Sequence, residues 1–299
     1  MVKDLPEIPF GHTPQVLLLG NGINRAFNFG SWDDLIQDIQ TVALDETEKK
    51  ELQKVPYPLQ PVILTEDHVG SGMKKIAASL SELEPCEEEK EILRTAAALP
   101  MNAILTANYT YELEKAVYKD FHCLPSRRCA RRQKAHDSGK PSQNEALHTY
   151  MDVLPGKPIW HVHGEAAKPD TMILGHYYYG KLLSRIQQYI PILIRRNAEH
   201  RKKQEGMVYH SWVEYFMLGD VHIVGLGLDL SEMDLWWLIN CKKRHFPDTK
   251  VYFYCPDLTP QKQMLANAYK VIVKSDGLID KDYRTYYKNV LNALKKKEK

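Results

Sequence analysis

Two short aliphatic runs, each ending in glycine, constrain this chain more than any other feature. Residues 16–19 lead into Gly20-Asn21-Gly22, and residues 221–224 lead into Gly225-Leu226-Gly227. An unbroken aliphatic run, as opposed to an alternating one, suits a strand buried on both faces, and such strands belong to parallel sheets covered by helices. Similar runs stand at 103–106, 159–162, 172–174, 251–254 and 271–273. Between them, 32–41 places Trp32, Leu35, Ile36 and Ile39 at helical spacing, and 111–118 and 235–241 read the same way. Strands alternating with helices predict an α/β fold: a Rossmann-like, mostly parallel sheet flanked by helices.

Three stretches interrupt the alternation. Residues 45–98 and 115–158 read as insertions forming a smaller helical subdomain, and 178–216 as long helical structure broken at Pro191. The whole chain, 1–299, is expected to be one domain, a length that buries a sizeable core.

Composition narrows the function class. Forty basic residues against 38 acidic ones give a formal charge of +2, so no molecule-wide footprint for nucleic acid is expected. Two basic segments, 127–134 and 195–203, could grip phosphates or an acidic partner, although charge runs are usually solvated surface. No apolar window approaches the ~20 residues of a membrane-spanning helix. The first ten residues hold two acids and two prolines where a secretion signal needs an apolar stretch, so a cytoplasmic location is expected. Five cysteines without a C-x-x-C pair suggest reduced thiols. His122, Cys123, Cys129, His136 and His148 fit no standard zinc spacing, so no metal is expected.

Four blocks carry candidate chemistry. After the first strand, Gly20, Asn21, Gly22, Asn24 and Arg25 form a glycine turn where the backbone can approach a pyrophosphate; Arg25 stands in place of the third glycine of G-x-G-x-x-G and could itself hold a phosphate. After the second, Thr106-Ala107-Asn108-Tyr109-Thr110 puts an amide at the ligand edge of the sheet, unless Thr106, Asn108 or Thr110 merely caps a helix. Next comes Trp160-His161-Val162-His163-Gly164, where strand alternation would point both imidazoles to one face and His163 could accept a proton. The late turn, with Gly225, Gly227, Leu228 and Asp234, repeats the strand-glycine-helix design.

Glycine loop, Thr-Ala-Asn-Tyr, His-Gly and late Gly-Leu-Gly-Leu, in this order over most of the chain, resemble the SIR2-like (sirtuin-related) family, and among its members the SIR2-like and AbiH-type proteins of bacterial antiphage defence. Gly-His-Tyr-Tyr-Tyr at 175–179 also has counterparts there. The resemblance implies NAD+ as ligand and substrate, with Gly20, Gly22 and Asn24 in the phosphate turn, Asn108 at the nicotinamide ribose and His163 as base. It also implies Gly225, Gly227 and Leu228 near the adenosine half; Asn21, Arg25, Thr106 and Asp234 complete the expected set. Gly227 replaces a frequent serine or threonine of sirtuins, and Thr110 a frequent aspartate. Protein-deacylating sirtuins carry four zinc-binding cysteines after the His-Gly motif, where this chain has only Cys241 and Cys255. Water then becomes the expected acceptor, and the expected enzyme an NAD+ hydrolase (NADase) that yields nicotinamide and ADP-ribose. Such an enzyme needs restraint, expected from a homo-oligomer or from a partner such as a translocase ATPase or phage-sensing subunit. A non-catalytic NAD/ADP-ribose-binding subunit and an ADP-ribosyltransferase are the alternatives.

Overall fold

The computed structural model describes residues 5–27, 30, 32–118, 126–128, 147–230, 232–275 and 280–296. Its centre is an eight-stranded sheet. Six strands run parallel: β2 (Gln15–Leu19), β3 (Ala103–Thr106), β6 (Lys157–His161), β8 (Asp220–Val224), β9 (Val251–Tyr254) and β10 (Ile272–Lys274). Their spatial order is β10-β9-β8-β2-β3-β6. Counted by appearance and read from the β6 end, this is third, second, first, fourth, fifth, sixth, the order of doubly wound dinucleotide-binding sheets. The fold is therefore α/β and Rossmann-like. Chain direction switches between β2 and β8, so a crevice opens outside their carboxyl ends.

The aliphatic runs explain the layers. Along β2 and β3, Val16, Leu18, Ala103 and Leu105 enter one core, and Leu17, Leu19 and Ile104 the other. The first core is covered by α8 (His176–Lys203), α9 (Trp212–Leu218), α10 (Met233–His245) and α11 (Pro260–Tyr269). The second is covered by α2 (Trp32–Ile39), α4 (Gln60–Leu64), α5 (Val69–Glu82), α6 (Glu87–Ala97), α7 (Glu112–Val117) and α12 (Tyr283–Lys296). The short α1 (Gly22–Arg25) follows β2, and α3 (Glu46–Leu52) completes the helices inserted between α2 and β3. Among the described residues no helix is long and apolar enough to cross a membrane.

Four expectations are corrected. The segment 115–158 is not helical where described beyond α7: it supplies β4 (Ser126–Arg128) and β5 (Thr149–Leu154), an antiparallel edge beside β6. Most of the basic segment 127–134 lies outside the described residues. Residues 172–174 are buried without forming a strand. Pro191, which has no N–H to offer the Gln187 carbonyl, does not break α8; both residues sit on its exposed side. Leu182, Ile186, Ile190 and Leu193 bury one stripe on both sides of it, enough to outweigh the ~3 kcal/mol a helical proline costs. Finally, His161 and His163 do not share a face. β6 ends at His161 and the chain turns, so His161 lies with Tyr111 and Glu114 in the second layer, and His163 with Tyr179 and Asp234 in the first. A small pair, β1 (Glu7–Ile8) with β7 (Met207–Val208), stands apart from the main sheet.

Candidate functional site

The two glycine turns meet at the switch point. Gly20 donates its amide to the Val224 carbonyl (2.9 Å), and Gly22 donates to that of Gly225 (2.7 Å). A Cβ on Gly22 would stand 2.7 Å from the Gly225 carbonyl oxygen, so the approach requires glycine. Asn21 donates from its amide to Gly30, and Asn24, itself buried, donates to the Asn21 amide oxygen. Arg25 is exposed. Gly227 and Leu228 belong to a turn pinned by Lys262, which binds the Gly227 carbonyl (2.9 Å) and the Asp229 carboxylate (2.6 Å). Leu228 is fully buried with φ +45°, which makes it a wall of this turn.

Between the ends of β2 and β3 lies a small polar cavity with room for about one water molecule. Gly20, Asn24, Thr106 and Asn108, four of the larger set of expected site residues, line it. Thr110, Glu112 and Glu114 line it as well. Asn108 does not cap a helix: the cap position of α7 is Tyr111, without a side-chain bond. The Thr106 hydroxyl accepts from the Asn108 amide N–H (3.1 Å), and the Thr110 hydroxyl donates to Glu112 (2.6 Å).

Sequence reading missed the acidic character of this cleft. Glu112 and Glu114 resemble ordinary first-turn residues of a helix, and only the tertiary packing buries them. Burial raises the pKa of Glu112. Behind it Glu89, fully buried without a hydrogen-bond partner, is pushed up to about 8 by burial and by the charge of Glu112. His161 closes the wall. One imidazole nitrogen, Nδ1, donates to the Asn108 carbonyl (2.8 Å), and the other, Nε2, to Glu114 (3.0 Å). Burial alone would depress its pKa, but the Glu114 carboxylate outweighs that and raises it to about 9, so the ring is an imidazolium.

His163 does not line this cleft. Its Nε2 donates to Asp234 at the start of α10 (2.8 Å), which leaves Nδ1 as the basic nitrogen. Asp234, one of the expected site residues, is thus the partner that orients this histidine. Tyr179 stands edge-on to the ring at 5.5 Å. The Tyr179 hydroxyl bonds that of Tyr109, which donates to the Ile173 carbonyl (2.5 Å), while Ile173 donates its amide to the His163 carbonyl (2.7 Å). The Asn108-Tyr109 loop is thus tied to both histidines. Gly164 then turns away at φ +84°, and a Cβ there would overlap the Thr171 carbonyl. Only glycine fits after the second histidine.

Among the described residues no group of three His, Cys, Asp or Glu is arranged to hold a metal ion. Of the early His/Cys set, His122, Cys123, Cys129 and His136 lie outside the described residues, and His148 bonds the His210 carbonyl. Neither a scan against protein-family models nor a search of curated proteins finds a match.

Proposed function

We propose that the chain is an NAD+ hydrolase that breaks the nicotinamide–ribose bond to release nicotinamide and ADP-ribose. The observation that carries this reading is the strand order, which gathers both glycine turns, the Asn108 loop and the two histidines at one sheet edge around a switch point. Asn108 offers donor and acceptor to ribose hydroxyls or to a water. His163, oriented by Asp234, is equipped to take a proton through Nδ1.

The reading extends to an antiphage effector, located in the cytoplasm and restrained by oligomerisation or by a partner protein, since uncontrolled turnover would exhaust the host's NAD+. A second reading, a regulatory subunit that binds NAD+ or ADP-ribose without turnover, draws on one observation: the Gly22 amide, which a pyrophosphate would need, is already given to Gly225. Nicotinamide release from NAD+ separates the two. The purified chain, alone and in candidate assemblies, is expected to release nicotinamide, and Asn108→Ala and His163→Ala each to lower the rate about 100-fold or more. Tight calorimetric binding of NAD+ with no product would establish the second reading instead.

A further inference from the structure

His161 ties the Asn108 loop to α7 with a single ring. It is the last residue of β6 and fully buried. Its Nδ1 donates to the Asn108 carbonyl at 2.8 Å, and its Nε2 donates to Glu114 at 3.0 Å. A neutral imidazole carries one N–H and can donate to only one of these oxygens, so both bonds need the protonated ring. Around it stand Glu112 and Glu114 of α7, Tyr111 edge-on at 5.3 Å, and Glu165 of the loop after β6, itself paired with Lys168. The Asn108 peptide is held from its other side as well, where its N–H meets the Thr106 hydroxyl at 3.1 Å. Asn108 itself is half-buried, with His161 and Glu114 sealed behind it. An ion pair shut away from water is a costly way to hold a fold, since apolar side chains of similar volume commonly do as well or better. What it supplies is direction: charge-assisted bonds from a rigid ring onto the carbonyl of one chosen residue.

We propose that His161 is a positioning residue, whose ring, braced by Glu114, fixes the Asn108 loop so that the Asn108 amide meets the ribose of the substrate. The inference deepens the nicotinamide-releasing reading given above and rests on it. Neither His161 nor Glu114 touches substrate in this role, in keeping with a cavity that has room for about one water molecule. Both act through Asn108. A displacement of about 1 Å at a group that must meet a reacting atom is worth about 100-fold in rate.

The test compares His161 variants of the full-length chain in a Glu114→Gln background, where no carboxylate is left buried without its cation. In that background a neutral His161 keeps both bonds: Nδ1–H still donates to the Asn108 carbonyl, and Nε2 accepts from the introduced amide. His161→Phe keeps the bulk and removes the donor. It is expected to lower kcat for nicotinamide release about 30-fold, while KM moves less than about threefold. His161→Asn, whose amide N–H stands where Nδ1 stood, is expected to recover most of that loss although it packs less well. With Asn108→Ala also present, His161→Phe is expected to cost less than about threefold, because the amide it positions is gone. The pH profile gives a further readout. Against the cost of burial, the Glu114 carboxylate keeps the ring protonated up to about 9, so kcat of the wild-type chain is expected to fall as pH rises through that value, and this limb to vanish in Glu114→Gln. Circular dichroism checks that each variant is folded. Full kcat in folded His161→Phe, a loss that His161→Asn leaves unrepaired, an equal loss beside Asn108→Ala, or an alkaline limb that persists in Glu114→Gln overturns the proposal. Hydrogen exchange over residues 106–111 is independent of turnover, and His161→Phe is expected to speed it about tenfold or more. Faster exchange in a protein that releases no nicotinamide would uphold the clamp and dismiss the hydrolase; unchanged exchange overturns the clamp whether or not nicotinamide is released.

Discussion

Glu89 shows what burial does to a single side chain in this protein. Its carboxyl has no hydrogen-bond partner and lies against Glu112, so at neutral pH it holds its proton, with a pKa of about 8. The sign follows from linkage. Above its ordinary value of 4.5 the unfolded chain releases a proton that the folded chain keeps, so this residue lowers stability as pH rises from there towards 8. Glu89→Gln removes the ionisable group at nearly unchanged volume. Urea unfolding at about pH 7 is expected to show the variant more stable by about 2 kcal/mol, and at about pH 4 to show no difference. Glu114 differs in having His161 beside it, with the imidazole Nε2 3.0 Å from one carboxyl oxygen.

At the scale of elements, buried cations close helix ends that the packing seals from water. Lys242, on α10, donates to the carbonyls of Phe216, Met217 and Gly219 at the carboxyl end of α9, and to the Thr249 hydroxyl. Burial pulls its pKa down to about 7. Lys115, on α7, does the same for α5 through the carbonyls of Ser81 and Leu83. The last carbonyls of a helix have no partner within it, so removing such a cation strands several at once. Lys242→Met is expected to cost about 3 kcal/mol in chemical denaturation, because it replaces the donor with an apolar chain. In a sequence these lysines are indistinguishable from surface charges. The helix stripes were legible, as in Leu182, Ile186 and Ile190 of α8, because periodicity is local; which lysine turns inward depends on the helix packed above it.

For the molecule as a whole, the buried acids and His161 act in one direction around neutrality. Glu89 and Glu232 stand near 8, Glu232 through burial and the charges of Asp234 and Asp229, and Glu112 and Glu214 are raised as well. His161 stands near 9 against an ordinary 6.5, so its stabilising charge is fully present below 6.5 and lost as pH rises through 9. Glu89, Glu232 and His161 each hold a proton in the folded state at a pH where the unfolded chain gives it up. The melting temperature, followed by calorimetry at constant ionic strength, is expected to fall steadily between about pH 5 and 8. Lys242 opposes this only above about 7. The amino-acid order by itself determined the α/β class, the parallel strands at 16–19, 103–106, 221–224 and 251–254, and the grouping of Gly20, Asn24, Thr106 and Asn108. Those are readable because an aliphatic run followed by glycine states its own burial and its own turn. The tertiary structure alone decided that β4 and β5 form an antiparallel edge, that α8 passes through Pro191, that His163 pairs with Asp234, and that Glu112 and Glu114 turn a glycine-edged crevice acidic. Each of these depends on residues brought together from tens of positions apart, where burial removes the water that would otherwise screen charge and solvate polar groups, and no local pattern in the chain records that.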